Sequence, residues 1–455
     1  VLDQTQIPSH YLLMIKEVKH SIPFWQLYRH FAGPWSFLLD NQLNTGWSYC
    51  GGLPDTIFMA KRNKNRLADI TLIENGTTST FGGDPFAELE RIKNRRAAVK
   101  HDLIPFTSGG IGWFGYEAGH MIEQLPDSGV DQGLPDICFF FPTVILAHQH
   151  SSGRTWQIGE FNIPVLEPET DPQDNETSID PKMMFNSESY GNAVETVRSE
   201  IGAGRVYEVC MTHRIEVPLD CQPWQLFKTL RRDNPAPFAS FISTPDCDII
   251  SSSPEQFLGL DLNRKITSRP IKGTRPRGKT AAQDEQLKSE LANSIKDKAE
   301  NLMIVDLVRN DIGRVATHGS VTAAELTKIE TYATVFQMVS TIQGNLDSQF
   351  SSIDLIKACF PGGSMTGAPK IEAMKMIDEL EPVCRGIYSG AIGWLSDNDT
   401  LDLNIVIRTC IAKNGTGYIG AGGAIVADSD PVEEWEESMA KAQALLDAIA
   451  KCGAK

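Results

Sequence analysis

The chain has 455 residues, 41% of them hydrophobic and 22% charged, with mean hydropathy −0.21. This is the composition of a soluble globular protein with ample length to bury a large core. A formal net charge of −16 and a pI near 5.1 exclude nucleic acid as the main partner, but leave room for a small anion in a local cationic pocket. Nine cysteines with no C-x-x-C pair fit neither a disulfide framework nor a zinc site, and point to a reduced, cytoplasmic setting. No run approaches the apolar length of a membrane span, and the opening VLDQTQIPSHYLLMIKEV carries no signal pattern.

Residues 1 to about 160 alternate short apolar runs with turn residues, which predicts an antiparallel sheet and a helix over 85–100. The run TSGGIGWFGY (107–116) does not match a dinucleotide fingerprint, so its glycines indicate close backbone packing. His148 and His150 precede SSGRT, a hairpin tip, and read as surface residues. Proline, acids and small polar residues dominate from about 160 to 187, which divides the chain into 1–168, a linker over 169–187, and 188–455. Beyond it come a helix over 189–203, a strand over 206–217 and a helix over 224–232.

Arg264 to Lys279 carries seven cationic side chains and no carboxylate. Ile266 and Pro270-Ile271 read as a strand that ends in a turn at Gly273-Thr274, with Lys272 on its last position. Neighbouring cations would favour the neutral amine, the nucleophilic form of lysine. A single amphipathic helix is expected over 281–315, with Asp297 and Glu300 on one face, and another from Pro431, with Glu434 and Glu437 on one face. Two such pairs offer only oxygen donors, so a convergent site would take a hard ion, with magnesium the best fit. Glycine-rich backbone follows in FPGGSMTGAPK (360–370), which opens a helix near Pro369, and in YIGAGGAIVADSD (418–430). Between them Arg408 sits in an apparent apolar strand, LNIVIRTC, either out on its solvent face or paired with something buried, most usefully a carboxylate.

In this order, SPEQF (253–257), RPIKGTRPRG (269–278), KDKAENLMIVDLVRNDIGRV (296–315), PGGSMTGAPK (361–370), IRT (407–409) and GAGGAIVADSDPVEEWEE (420–437) resemble the chorismate-utilising enzyme family. GPWSFLLD and GGIGWFGY resemble its N-terminal part, so the likeness covers nearly the whole chain. The resemblance implies an α+β fold of two facing antiparallel sheets with helices outside, an α/β/β/α sandwich as in anthranilate synthase component I. The PIKGT form resembles the branch that makes 4-amino-4-deoxychorismate from chorismate and ammonia, on the route to 4-aminobenzoate and folate. Anthranilate and isochorismate synthases are the alternatives.

In that likeness Lys272 is the covalent nucleophile and Glu255 the acid that protonates the leaving hydroxyl. Glu300 and Glu437, supported by Asp297 and Glu434, would hold magnesium on the ring carboxylate. Arg408, Tyr388 and the backbone of Gly420, Ala421, Gly422 and Gly423 would take the enolpyruvyl carboxylate, with Gly273, Thr274 and Thr366 also at the substrate. Leu39, Asp40 and Asn41 correspond to a possible tryptophan pocket. Three departures stand out: Gln337 where histidine is frequent, Glu208 where amine-forming members carry glutamine, and no G-x-C-x-G glutaminase nucleophile. The resemblance therefore implies a separate glutamine amidotransferase subunit as partner.

Overall fold

Alternation along the strands sets the layers. In Ser36–Asp40, Phe37 joins a core built from strand residues, whereas Leu38 joins one that also contains helices. Ile242 and Phe241, Ile249 and Ile250, and Ile411 and Cys410 divide between the same two cores. Ile57 and Phe58, and Phe140 with its neighbours Phe139 and Phe141, divide between the strand core and a third, again helix-covered. A period of two thus gives every such strand a face against other strands and a face against helices. A computed structural model describes residues 14–63, 66–99, 101–175 and 177–453. The opening residues read above for a signal pattern lie, up to residue 13, outside that range.

The fold is α+β, with 22 strands in the described residues joined in one network and every pairing of named strands antiparallel. The described residues form eight α-helices, in chain order: α1 (Pro85–Arg95), α2 (Ser187–Gly202), α3 (Pro223–Asp233), α4 (Ala281–Asn293), α5 (Ile295–Gly313), α6 (Ser352–Cys359), α7 (Lys370–Leu380) and α8 (Pro431–Lys451). Their starts follow local chemistry. Asp84, Asn186 and Asp430 accept backbone N–H bonds at the first turns of α1, α2 and α8, and Pro85 and Pro431 open theirs. The long helix expected over 281–315 is instead two. Ser294 leaves helical geometry at φ −62°, ψ 116°, and its hydroxyl accepts from Asp297 N, so one residue ends α4 and caps α5.

The two ends of the chain are stitched together. Ser36–Asp40 pairs with Phe238–Ser243, and Gly109–Phe114 pairs with Ala391–Ser396. The glycines of TSGGIGWFGY serve that close approach: a Cβ on Gly109, at φ +135°, would lie 2.1 Å from Leu395 O. Between Phe161 and Pro181 the described residues hold only an isolated bridge from Asn175 to Cys452, and a short strand, Lys182–Met183, precedes α2. All nine cysteines are free thiols. No helix among the described residues is long and apolar enough to cross a membrane.

Candidate active site

Pro270 supplies no N–H and divides the cationic hairpin into strands Lys265–Arg269 and Ile271–Pro276. Both pair with Val335–Asn345, but the second does so out of step. Ile271 faces Val339 and Thr274 faces Gln337, three residues against two. Lys272 and Gly273 therefore form a β-bulge, and Gly273 takes φ +87° there. The strand does not end at Gly273 as the sequence suggested; it bulges and continues to Pro276. A bulge re-aims a side chain, and this one turns Lys272 towards the strand Glu208–Pro218.

Lys272 Nζ donates to Glu208 Oε1 at 2.8 Å, with the two side chains 11% and 1% exposed. Glu208 Oε2 is buried with no hydrogen-bond partner among the described residues. The expectation that surrounding cations neutralise Lys272 is overturned, because the four arginines among them are paired elsewhere. Arg264 binds Asp399, Arg269 binds Glu330, Arg275 binds Glu290 and Asp297, and Arg277 binds Asp284. Burial favours the neutral amine, but Glu208 and Glu300 outweigh it and hold Lys272 well above the usual lysine range.

Glu255 lies between the strands Asp248–Ser253 and Gln256–Leu260 and is buried. Burial pushes its carboxyl up to about 7, against a bond from Ser364 Oγ (2.8 Å) and the charge of Lys272. Ser364 belongs to the PGGSMTG loop, which is also where Thr366 sits. The Thr366 hydroxyl is fully buried and donates to Gly362 O and Gly363 O, each at 3.3 Å. An acid that keeps its proton near neutrality thus stands within electrostatic reach of the bulge lysine.

The acids of α5 and α8 share their cations. Burial raises Glu300, against Lys272 and Lys296. Burial likewise raises Glu434, whose Oε1 accepts from Ser429 at 2.7 Å. Burial would raise Glu437 too, but Lys441, Lys296 and Lys272 outweigh it and leave its carboxyl below the usual range. Lys441 Nζ bonds Glu437 at 2.7 Å. A Cβ on Gly423 would lie 2.8 Å from Glu434 Oε2 and 3.9 Å from Glu437 Oε1, so bare backbone leaves room beside both. The donors are all carboxylate oxygens, the set a hard divalent ion takes. Among the described residues no three ligand-type side chains already converge as a cage. Glu300, Glu434 and Glu437 are presently balanced by lysines, while Asp297 is tied to Arg275 at 3.0 Å.

Arg408 is not within a strand. It lies between Leu401–Ile405 and Thr409–Lys413 at φ +52°, and its Nη1 donates to Lys441 O. The charge of Glu437 and the Tyr388 phenol act on it, so it reaches the same helix as the acids. Gly420, Ala421, Gly422 and Gly423 run opposite Arg214, His213, Thr212 and Met211 in the pairing of Thr416–Ile425 with Glu208–Pro218. A Cβ on Gly420 would lie 2.2 Å from the Tyr388 ring, which explains glycine there. Beneath this wall, buried Arg385 pairs with Glu381 at 2.6 Å and donates to Cys210 O and Met365 O.

The profile of the family described as chorismate binding enzyme matches residues 55–447. The chain belongs to the chorismate binding enzyme family. It is 39% identical over 404 residues to an aminodeoxychorismate synthase of Streptomyces griseus, covering 83% of this chain and 55% of that protein. The chain thus spans only about half the length of that relative. It is 36% identical over 405 residues to aminodeoxychorismate synthase component 1 of Bacillus subtilis, covering 84% of this chain and 85% of the relative. Anthranilate synthase component I from Streptococcus pneumoniae has a similar structure, with TM-score 0.77 and 29% identity, covering 88% of this chain and 92% of that one.

In this member of the chorismate binding enzyme family several site residues were silent in sequence. Ser364 and Lys296 lie inside motifs without a role of their own there, and Lys441 lies beyond the last one; Ser364 reaches Glu255 through the fold, and the two lysines reach Glu300 and Glu437 one helical turn away. Gln337 is buried directly across from Thr274, beside the bulge, with its Oε1 unpartnered among the described residues. Of the residues matched to a tryptophan pocket, Leu39 packs on the strand core, Asp40 pairs with Arg231 at 2.8 Å, and Asn41 accepts from Thr45.

Proposed function

We propose that the chain converts chorismate and ammonia to 4-amino-4-deoxychorismate through a covalent adduct on Lys272. One observation supports this reading above the rest: a buried acid held near neutrality, Glu255, lies within electrostatic reach of a buried amine re-aimed by a bulge. Hydroxide is a poor leaving group, so displacement at chorismate needs an acid at C4 and a nucleophile elsewhere on the ring. Lys272 adds at C2, the ring double bonds shift, and the C4 hydroxyl departs as water with the proton of Glu255. Ammonia then adds at C4 and expels the amine from C2, so one hard displacement becomes two easier ones. The product ammonium returns a proton to Glu255.

Arg408 and the backbone at Gly420 to Gly423 hold the enolpyruvyl carboxylate, with Tyr388 behind them. Glu300 and Glu437, with Glu434 and Asp297 beside them, would hold magnesium, which when bound supplies positive charge for the ring carboxylate. The relative named component 1 favours a separate glutamine amidotransferase as ammonia source, in a cytoplasmic route to 4-aminobenzoate and folate.

The test is incubation with chorismate, magnesium and ammonium at mildly alkaline pH, with product mass recorded. A non-aromatic amine that keeps its enolpyruvyl group is expected. Anthranilate or isochorismate as the main product would overturn the reading.

A further inference from the structure

Glutamate at 208 is the unexplained residue of this site. It touches the reacting nitrogen, its charge is buried, and neither it nor Lys272 hydrogen-bonds any of the four acids offered to magnesium. From the other elements, Lys272 also feels Glu300 of α5, Glu437 of α8, Glu255 and the thiol of Cys210. Of these groups Glu208 alone is hydrogen-bonded to it. A lysine ion-paired in this way cannot attack as it stands, because its lone pair carries a proton. Something within reach must take that proton when the C–N bond forms.

We infer that Glu208 is the proton acceptor for Lys272 and also its positioning residue. This rests on the covalent reading above. In the first stage Lys272 Nζ gives one proton to Glu208 Oε1 and its freed lone pair forms the bond to C2. Glu208 is then a neutral acid, and the secondary ammonium on the ring keeps its own two protons. In the second stage the C2–N bond breaks, its electron pair returns to nitrogen, and Glu208 gives its proton back to the amine. The pair is restored with no net proton consumed. Oε2 has no competing donor among the described residues, so Lys272 is the one group drawing on that carboxylate. The carboxylate that holds the cation thus also relieves it.

The inference is tested by amination pH profiles of the wild type, Glu208→Gln, Glu208→Asp and Lys272→Ala, with chorismate KM measured alongside. For the wild type, kcat should show no lysine ionisation between about pH 7 and 9, since the proton moves within the site. Glu208→Gln should keep KM and lose kcat by about 100-fold against the wild type at neutral pH, and that ratio should shrink by about tenfold per pH unit as solvent deprotonates the amine. Glu208→Asp should keep the wild-type profile at reduced kcat. A Glu208→Gln profile that superimposes on the wild type would overturn the inference while leaving the lysine adduct intact. Turnover surviving in Lys272→Ala would instead overturn the adduct itself. If Glu208→Gln does not fold, a ratio of wild-type to Glu208→Asp kcat that changes tenfold per pH unit overturns the inference.

Discussion

Ser364 Oγ donates to Glu255 Oε1 at 2.8 Å, and that bond opposes the rise that burial imposes on the acid. As burial holds Glu255 at about 7, kcat/KM should fall as pH climbs through that value and the acid loses its proton. Ser364→Ala removes a donor to the charged form, so the carboxyl should titrate still higher and the descending limb should move up by about one pH unit. The measurement is kcat/KM against pH for both proteins. A limb that stays in place, or moves down, would show that another group sets it.

Gly273→Ala tests the bulge. At φ +87° a side chain is strained, and its Cβ would lie 2.8 Å from Asp297 Oδ1 and 2.9 Å from Leu291 Cδ1. Restoring regular pairing would rotate Lys272 away from Glu208. The variant should lose about 1–3 kcal/mol of stability and show a larger loss in kcat than in chorismate KM. Thermal denaturation and steady-state kinetics measure the two effects. Unchanged kcat would mean that the lysine needs no bulge.

The motif residues and the layers were legible because they follow from residue type and period. Pro431, the alternating strands and the acid pairs each declare themselves locally. What stayed hidden depends on partners distant in sequence. The cations around Lys272 looked like a field that would neutralise it, yet the partners of the four arginines among them lie on α4, on α5 and near residues 330 and 399, leaving carboxylates around the amine. The bulge could not be read either, since it is a mismatch between two strands, not a property of one. Ser294 was overlooked because serine within an amphipathic run is ordinary until its hydroxyl is seen to accept from Asp297 N.

Arg385 and Glu381 form a pair buried on all sides, with Thr212 N also donating to Glu381 at 2.8 Å. Arg385→Met would leave that carboxylate without its countercharge, a loss of about 3–5 kcal/mol. Arg385→Met/Glu381→Leu should regain much of it, because no lone charge remains. Urea denaturation of both variants measures this. A double variant no better than the single would show that the arginine acts through its bonds to Cys210 O and Met365 O instead.

Lys296 lies one turn before Glu300 on α5, and its charge reaches Glu300, Glu434 and Glu437. With Lys272 it is one of two cations common to acids from both helices, and its charge lies electrostatically in the place proposed for magnesium. Lys296→Met should raise the affinity of the site for a divalent ion, because the ion no longer meets an ammonium. For one exposed charge the half-saturating magnesium concentration should fall by about threefold. The difference should shrink as salt is added, since screening weakens an exposed charge first. The measurement is magnesium activation of amination at low and high ionic strength, for both proteins. A half-saturating concentration that rises in Lys296→Met would place the ion away from the space between α5 and α8.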